Sequence, residues 1–382
     1  MNTVGIICEY NPFHLGHQRQ IRILRDNLED DCAVVCVMSG NYVQRGMPAM
    51  WDKFTRARVA MNCGADLVLE MPVTGVLQSA EGFASTGVEI LSKLGCVDYL
   101  SFGIEKGDGH TFLSMAKQLD TEEFQEKLRA GLDEGLSYAA ARQQALDDHD
   151  GLLSTPNNIL AFEYCRAILQ QESKLKTLSV IRNSNYHDTQ PQENEPSATA
   201  VRSLYPDGNW QDYVPKNALL LKDAPWYDVK FGERAVLSRL RALTDEEWET
   251  CAHGSEGLWR KAMAAARSES NLEAIINATK SKRYPRTRIQ RLLLCAYLGI
   301  TNEQLKQPFP YVRILAATEV GRTLLRQAKN NDAITLINPG QTPPNKEYYM
   351  LECQASRLYS LFAAPGHKAD AQMEENGRLL LK

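Results

Sequence analysis

The first hundred residues alternate short apolar runs with segments of helical spacing, and the runs lack regular polar alternation. Thr3–Cys8, Cys32–Met38, Asp66–Glu70 and Val97–Phe102 read as strands, separated by helical patterns over Leu15–Leu28, Asp52–Cys63 and Ala80–Leu94. A strand apolar on both faces must be covered on both faces, and parallel strands need crossover helices between them. The pattern predicts an α/β fold with a parallel sheet between helical layers. Two or three helices between Thr111 and Leu146, a helix over Pro156–Gln170 and a fifth strand at Leu175–Ile181 complete a unit assigned to residues 1–205.

His187–Ala198 is polar, holds two prolines and has no periodicity, so it reads as a loop free to move. The pattern then turns helical: Glu233–Leu243, Asp245–Ala252, Leu258–Ser268, Asn271–Thr279, Arg286–Leu298, a short turn at Asn302–Leu305, Thr318–Ala328 and Lys346–Phe362. Residues 206–382 are therefore expected to form a mostly α-helical domain. Lys plus Arg (43) against Asp plus Glu (47) leaves a net charge of −4, so any nucleic-acid surface has to be a local patch. The start has no signal-peptide pattern, and no apolar stretch is long enough to span a membrane, so a soluble, cytoplasmic protein is expected. Nine cysteines scattered through apolar stretches read as reduced core thiols.

The chemistry-bearing residues begin where the first strand ends. Asn11 and Pro12 stop the strand, Gly16 removes a side chain where a neighbour comes close, and His14 and His17 stand three apart at a helix start. Both imidazoles share one face of the first turn, beside free backbone N–H groups and the positive helix end. Such donors can hold a polyphosphate and the charge that builds as an α–β bond breaks; capping or core histidines are the alternative. Ser197, Thr199 and Arg202 follow the polar loop at another helix start. There the hydroxyls and a guanidinium fork make a second anion site, or an ordinary cap.

Together H-x-G-H and S-x-T-x-V-R resemble the signature pair of the HIGH nucleotidyltransferase superfamily, which binds ATP over a Rossmann-like sheet and releases pyrophosphate. Three further blocks are similar to the bacterial tRNA(Met) cytidine acetate ligase family: V-G-I-I-C-E-Y-N-P-F-H-L-G-H at the start, Met38–Ala49, and Pro156–Leu160. The resemblance covers most of residues 1–205 and returns at Lys280–Leu294. It implies acetate activation by ATP to acetyl-adenylate, then acetyl transfer to the wobble cytidine of elongator tRNA(Met) as N4-acetylcytidine.

On that resemblance His14, His17 and Arg202 are the catalytic candidates. ATP is assigned to Ile7, Glu9, Tyr10, Asn11, Pro12, Phe13, His14, Gly16, His17, Gly103, Asn157, Asn158, Arg182, Ser197 and Thr199. Mg²⁺ is expected on the phosphates, with no carboxylate cage and no metal ligand assigned. Several of these positions have plainer readings: a strand-ending turn at Gly103, an N-cap at Thr155 with Pro156 first in the helix in place of a nucleotide contact at Asn157 or Asn158, and a solvated strand-end charge at Arg182. Arg45, in a glycine-flanked loop, is read as substrate-facing.

Lys280, Lys282, Arg283, Arg286, Arg288 and Arg291 form a run of six basic residues without an acid, with Tyr284 among them. It suits phosphate neutralisation and base stacking on a folded RNA, so it is read as the tRNA-binding segment; a basic helix face is the alternative. Three rivals remain: a small-molecule adenylyltransferase of the same superfamily, a class I aminoacyl-tRNA synthetase, and a non-catalytic nucleotide or RNA sensor. The oligomeric state is open, with a homodimer as one option.

Overall fold

The apolar runs are strands of one sheet. In the computed structural model, which describes residues 1–28, 31–136, 138–148, 151–182, 196–368 and 370–382, the chain forms β1 (Asn2–Cys8), β2 (Cys32–Ser39), β5 (Leu67–Met71), β6 (Tyr99–Ile104) and β7 (Lys176–Ile181). A two-residue hairpin, β3 (Tyr42–Val43) and β4 (Met47–Pro48), lies off the sheet. The five long strands run in the order β5-β2-β1-β6-β7, every neighbour parallel. The chain leaves β1 towards one edge for β2 and towards the other for β6. Such a switch point opens a crevice at the carboxyl ends of its two strands.

Helices α1 (Leu15–Asn27) and α2 (Lys53–Asn62) cover one face, where Ile21, Leu24, Ala57 and Val59 pack with Ile6, Val34 and Cys36. On the other face, α3 (Ala80–Leu94) and α4 (Pro156–Gln170) bring Phe83, Leu91, Phe162 and Ile168 against Ile7, Val35 and Leu100. Between Thr111 and Leu146 stand three helices, Gly109–Gln118, Glu122–Asp133 and Tyr138–Ala145. The helix at the S-x-T-x-V-R segment is α5 (Ala198–Leu204). Of the polar loop, His187–Glu195 lies outside the described residues.

The second half is helical from α6 (Val229–Ala242) through α7 (Arg286–Leu298), and again at α8 (Lys346–Tyr359). Helix α6 begins four residues before the expected Glu233, because Asp228 caps it by accepting from the Lys230 N–H. The sequence reading contains no strand after Ile181, yet β8 (Val312–Ala317) joins the main sheet antiparallel to β5. β9 (Leu336–Ile337) and β10 (Leu380–Leu381) pair with β8.

Charge inside the strand hid β8. Arg313 is 2% exposed and pairs with Glu70, Glu352 and Glu374, while Lys53 pairs with Glu70 and Glu374. A run interrupted by arginine does not read as a buried strand unless its carboxylates are known. The nine cysteines are free thiols, eight of them buried. No helix among the described residues is long and apolar enough to cross a membrane.

Candidate active site

The crevice at the switch point is a cavity of about 640 Å³, walled by the ends of β1 and β6, the starts of α1 and α5, the β3–β4 hairpin, and residues from α6 and α7. Its centre is the segment after β1. His14 is the N-cap of α1: its Nδ1 accepts from the Gly16 N–H at 3.1 Å, and His17 Nδ1 accepts from the His14 N–H at 3.2 Å. The two readings of these histidines, cap and ligand wall, are thus both realised, since both rings also line the cavity.

Because each Nδ1 is an acceptor, each neutral ring carries its proton on Nε2 and has that N–H to offer. Burial, then His17 and Arg182, hold His14 well below the ordinary imidazole range, and burial and Arg182 do the same to His17. Both rings are neutral donors at neutral pH. Helix α1 adds its N-terminal N–H groups and the positive end of its dipole.

The segment is pinned from several sides. Asn11 Oδ1 accepts from the Met50 N–H at 2.8 Å, and Glu9 Oε1 from the Gln44 N–H at 2.8 Å. Buried Arg56 on α2 donates to the carbonyls of Glu9, Ser39, Gly40 and Trp51, tying the ends of β1 and β2 together. Sequence reasoning missed Arg56 because an arginine within a helix reads as surface. Tyr10 packs edge-on against Phe13 and His17, with centroids 4.7 and 4.8 Å away.

Arg182 and Arg202 bring the cations. A Cβ at Gly103 would meet Arg182 Cδ at 2.8 Å, so the glycine makes room for an arginine side chain, which also approaches Gly16. Arg202 donates to the Asn11 carbonyl at 2.5 Å and to Thr199 Oγ1 at 3.1 Å. Ser197 caps α5 through the Ala200 N–H at 3.0 Å. Two helix starts and two guanidinium groups therefore line one cavity.

Of the ATP candidates, Ile7, Glu9, Tyr10, Asn11, His14, Gly16, His17, Gly103, Asn157, Arg182 and Ser197 line the cavity, as do Arg202 and Arg45. Pro12, Phe13, Asn158 and Thr199 are not among the residues that line it. Asn158 is 1% exposed and joins α4 to the end of β6 by bonds to the Glu105 N–H and Lys106 carbonyl. Asn157 Nδ2 reaches Glu105 Oε1 at 2.6 Å. Thr199 holds Arg202.

The basic run divides. Lys280, Lys282 and Arg283 are exposed on the outer surface. Arg283 and Arg288 pair with Glu256, and Arg286 with Glu273. Arg291 is buried and lines the cavity instead. Trp226, Lys230 and Thr287 also line it, and sequence reasoning named none of them, since an aromatic residue before a helix cap and a threonine in a basic run carry no distinctive pattern. Among the described residues no group of three or more His, Cys, Asp or Glu is placed to hold a metal ion.

A family profile described as HIGH Nucleotidyl Transferase matches residues 1–375. A tRNA(Met) cytidine acetate ligase of Clostridium novyi is 34% identical over 94% of this chain and 95% of its own. One from Clostridium perfringens is 34% identical over 97% and 98%. The fold superposes on ligand-free TmcAL of Thermotoga maritima with a TM-score of 0.90, 27% identity and full coverage of both chains. Against the same protein bound with alpha-thio ATP the TM-score is 0.87. The cavity geometry, the profile and the end-to-end relatives agree: this chain belongs to the tRNA(Met) cytidine acetate ligase family of HIGH nucleotidyl transferases.

Proposed function

We propose that the protein activates acetate with ATP and passes the acetyl group to N4 of the wobble cytidine in elongator tRNA(Met). The carrying observation is the pair of neutral, Nδ1-capped histidines beside Arg182 and Arg202 in one cavity. A carboxylate oxygen of acetate attacks the α-phosphorus as the α–β P–O bond breaks and pyrophosphate leaves. His14 and His17 donate to phosphate oxygens as charge builds on them, the α1 and α5 starts add N–H groups, and Arg182 and Arg202 hold the departing pyrophosphate. The cytidine amine then attacks the acetyl carbonyl, AMP leaves and N4 gives up a proton.

Activation centres on residues 1–205, with Trp226, Lys230, Thr287 and Arg291 completing the cavity wall, and RNA docking falls to the surface of residues 206–382, with Lys280, Lys282, Arg283, Arg286 and Arg288 contacting backbone phosphates. The carboxylate partners of Arg283, Arg286 and Arg288 are exposed, and solvent-screened pairs are weak, so exchanging them for RNA phosphates costs little. The name printed for the relatives supports this substrate over a small-molecule acceptor. The test is acetate-dependent ATP–pyrophosphate exchange followed by detection of N4-acetylcytidine in elongator tRNA(Met). Exchange driven only by a phosphorylated coenzyme precursor would favour the adenylyltransferase reading.

A further inference from the structure

Arg291 is the member of the basic run that sits apart from the others. It is 8% exposed, and its guanidinium has no hydrogen bond or ion pair among the described residues; Nε is buried without a partner. Arg283, Arg286 and Arg288, nearer the surface, all have carboxylates. A buried, unpaired cation is among the costliest things a fold can hold, because desolvation goes uncompensated. Burial, with Arg288 adding to it, lowers the Arg291 pKa to about 10.

The position is also built. Gly46, at φ +79°, sits against the backbone of α7: a Cβ there would lie 2.6 Å from the Arg291 nitrogen. The β3–β4 hairpin is therefore seated on α7 at this residue, and Gln44, Arg45 and Met47 share the cavity with Arg291. Thr287, one turn earlier on the same helix face, also lines the cavity and offers a hydroxyl.

We propose that Arg291, with Thr287 beside it, is the acetate subsite: a guanidinium fork that receives a small monocarboxylate inside the catalytic cavity. This rests on the reading of the protein as an acetate-activating enzyme. The triphosphate has its own donors in His14, His17, Arg182 and Arg202, whereas the carboxylate co-substrate needs a cation of its own. The fork matches a carboxylate edge with two parallel N–H···O bonds. A residue so enclosed suits acetate better than an RNA phosphodiester, which carries a ribose on each side.

The fork leaves a carboxylate lone pair for the α-phosphorus. The acetyl C–O–P linkage forms as the bond to pyrophosphate breaks, and no proton moves.

The test measures ATP–pyrophosphate exchange without tRNA against sodium acetate concentration in wild type, Arg291→Gln and Arg291→Lys, with tRNA(Met) binding measured in parallel. The expected result is an acetate KM raised about 10- to 100-fold in Arg291→Gln, the scale of a lost charge-assisted contact. Arg291→Lys should show a smaller rise, and KM for ATP and tRNA affinity should stay within about twofold. If Arg291→Gln fails to fold, Arg291→Lys carries the test, since a point charge without the fork should still raise the acetate KM. An unchanged acetate KM with weakened tRNA binding makes Arg291 an RNA contact and overturns the proposal, as does a rise confined to the KM for ATP. Wild-type enzyme that shows no acetate-dependent exchange overturns the functional reading itself.

Discussion

The rings of His14 and His17 stack with centroids 3.7 Å apart at an interplanar angle of 23°, and each Nδ1 accepts a backbone N–H of the same helix turn. Two imidazolium cations would repel at that distance, so the arrangement belongs to the neutral pair. Both folded-state pKa values lie well below the reference 6.5. Since folding lowers them, the stability they contribute is complete above 6.5 and is lost as pH falls from there towards the folded values. NMR titration of the His14 and His17 rings in the folded protein should therefore show no protonation step near 6.5. A step there would mean that one ring titrates as an ordinary histidine.

Removing either ring takes away a donor and a cap contact together. His17→Ala should slow adenylate formation by ~100-fold or more, the scale of a lost transition-state donor, with a smaller effect on KM for ATP. Each variant should also cost ~0.5–2 kcal/mol of stability, because each Nδ1 accepts a backbone N–H at the start of α1. Exchange rates and thermal melts of the two variants check both numbers.

Arg202 and Thr199 predict a graded pair. Arg202→Ala removes the cation and should reduce exchange kcat/KM by ~10- to 100-fold. Thr199→Val removes only the oxygen that holds Nη2, so its loss should be smaller and should appear in the same parameter. Equal losses would place Thr199 in direct contact with the nucleotide.

The fold was legible in the sequence wherever local pattern decides it. Parallel strands buried on both faces produce unbroken apolar runs, so β1, β2, β5, β6 and β7 could be placed to within two residues. Strand β8 could not, because its arginine is compensated by Glu70, Glu352 and Glu374 from distant parts of the chain. The site divides the same way. His14, His17, Ser197 and Arg202 announce themselves at helix starts, whereas Arg56 and Arg291 depend on which carbonyls and which hairpin the fold brings to them.

The buried charges under the Gly40–Asn41 corner make a stability prediction. Arg313→Met leaves the Glu70, Glu352 and Glu374 carboxylates with Lys53 as their cation, so it should cost ~3–5 kcal/mol, the scale of breaking a buried pair by removing one partner. Burial, and Glu70 and Glu374 acting against Arg313, already push Glu352 up to about 7. Urea unfolding measures the loss, and a change below ~1 kcal/mol would remove the cluster from the account.

For RNA docking, changing Lys282, Arg283 and Arg286 together to Ala should weaken tRNA(Met) binding. Its log-log salt slope should become shallower by about two to three units, at ~0.7 to 0.9 per phosphate contact. Glu256→Gln should act in the opposite sense, because it frees Arg283 and Arg288 for phosphates. Exchange without tRNA should survive in both variants.

Acetate activation and acetyl transfer are read in one experiment: ATP–pyrophosphate exchange with purified protein, sodium acetate and no tRNA, followed by mass analysis of elongator tRNA(Met) after it is added. Exchange should require acetate, fall ~100-fold in His17→Ala, and be followed by one acetyl group on the wobble cytidine. Exchange indifferent to acetate, or acetate-dependent exchange that leaves the cytidine unmodified, would contradict the proposed function.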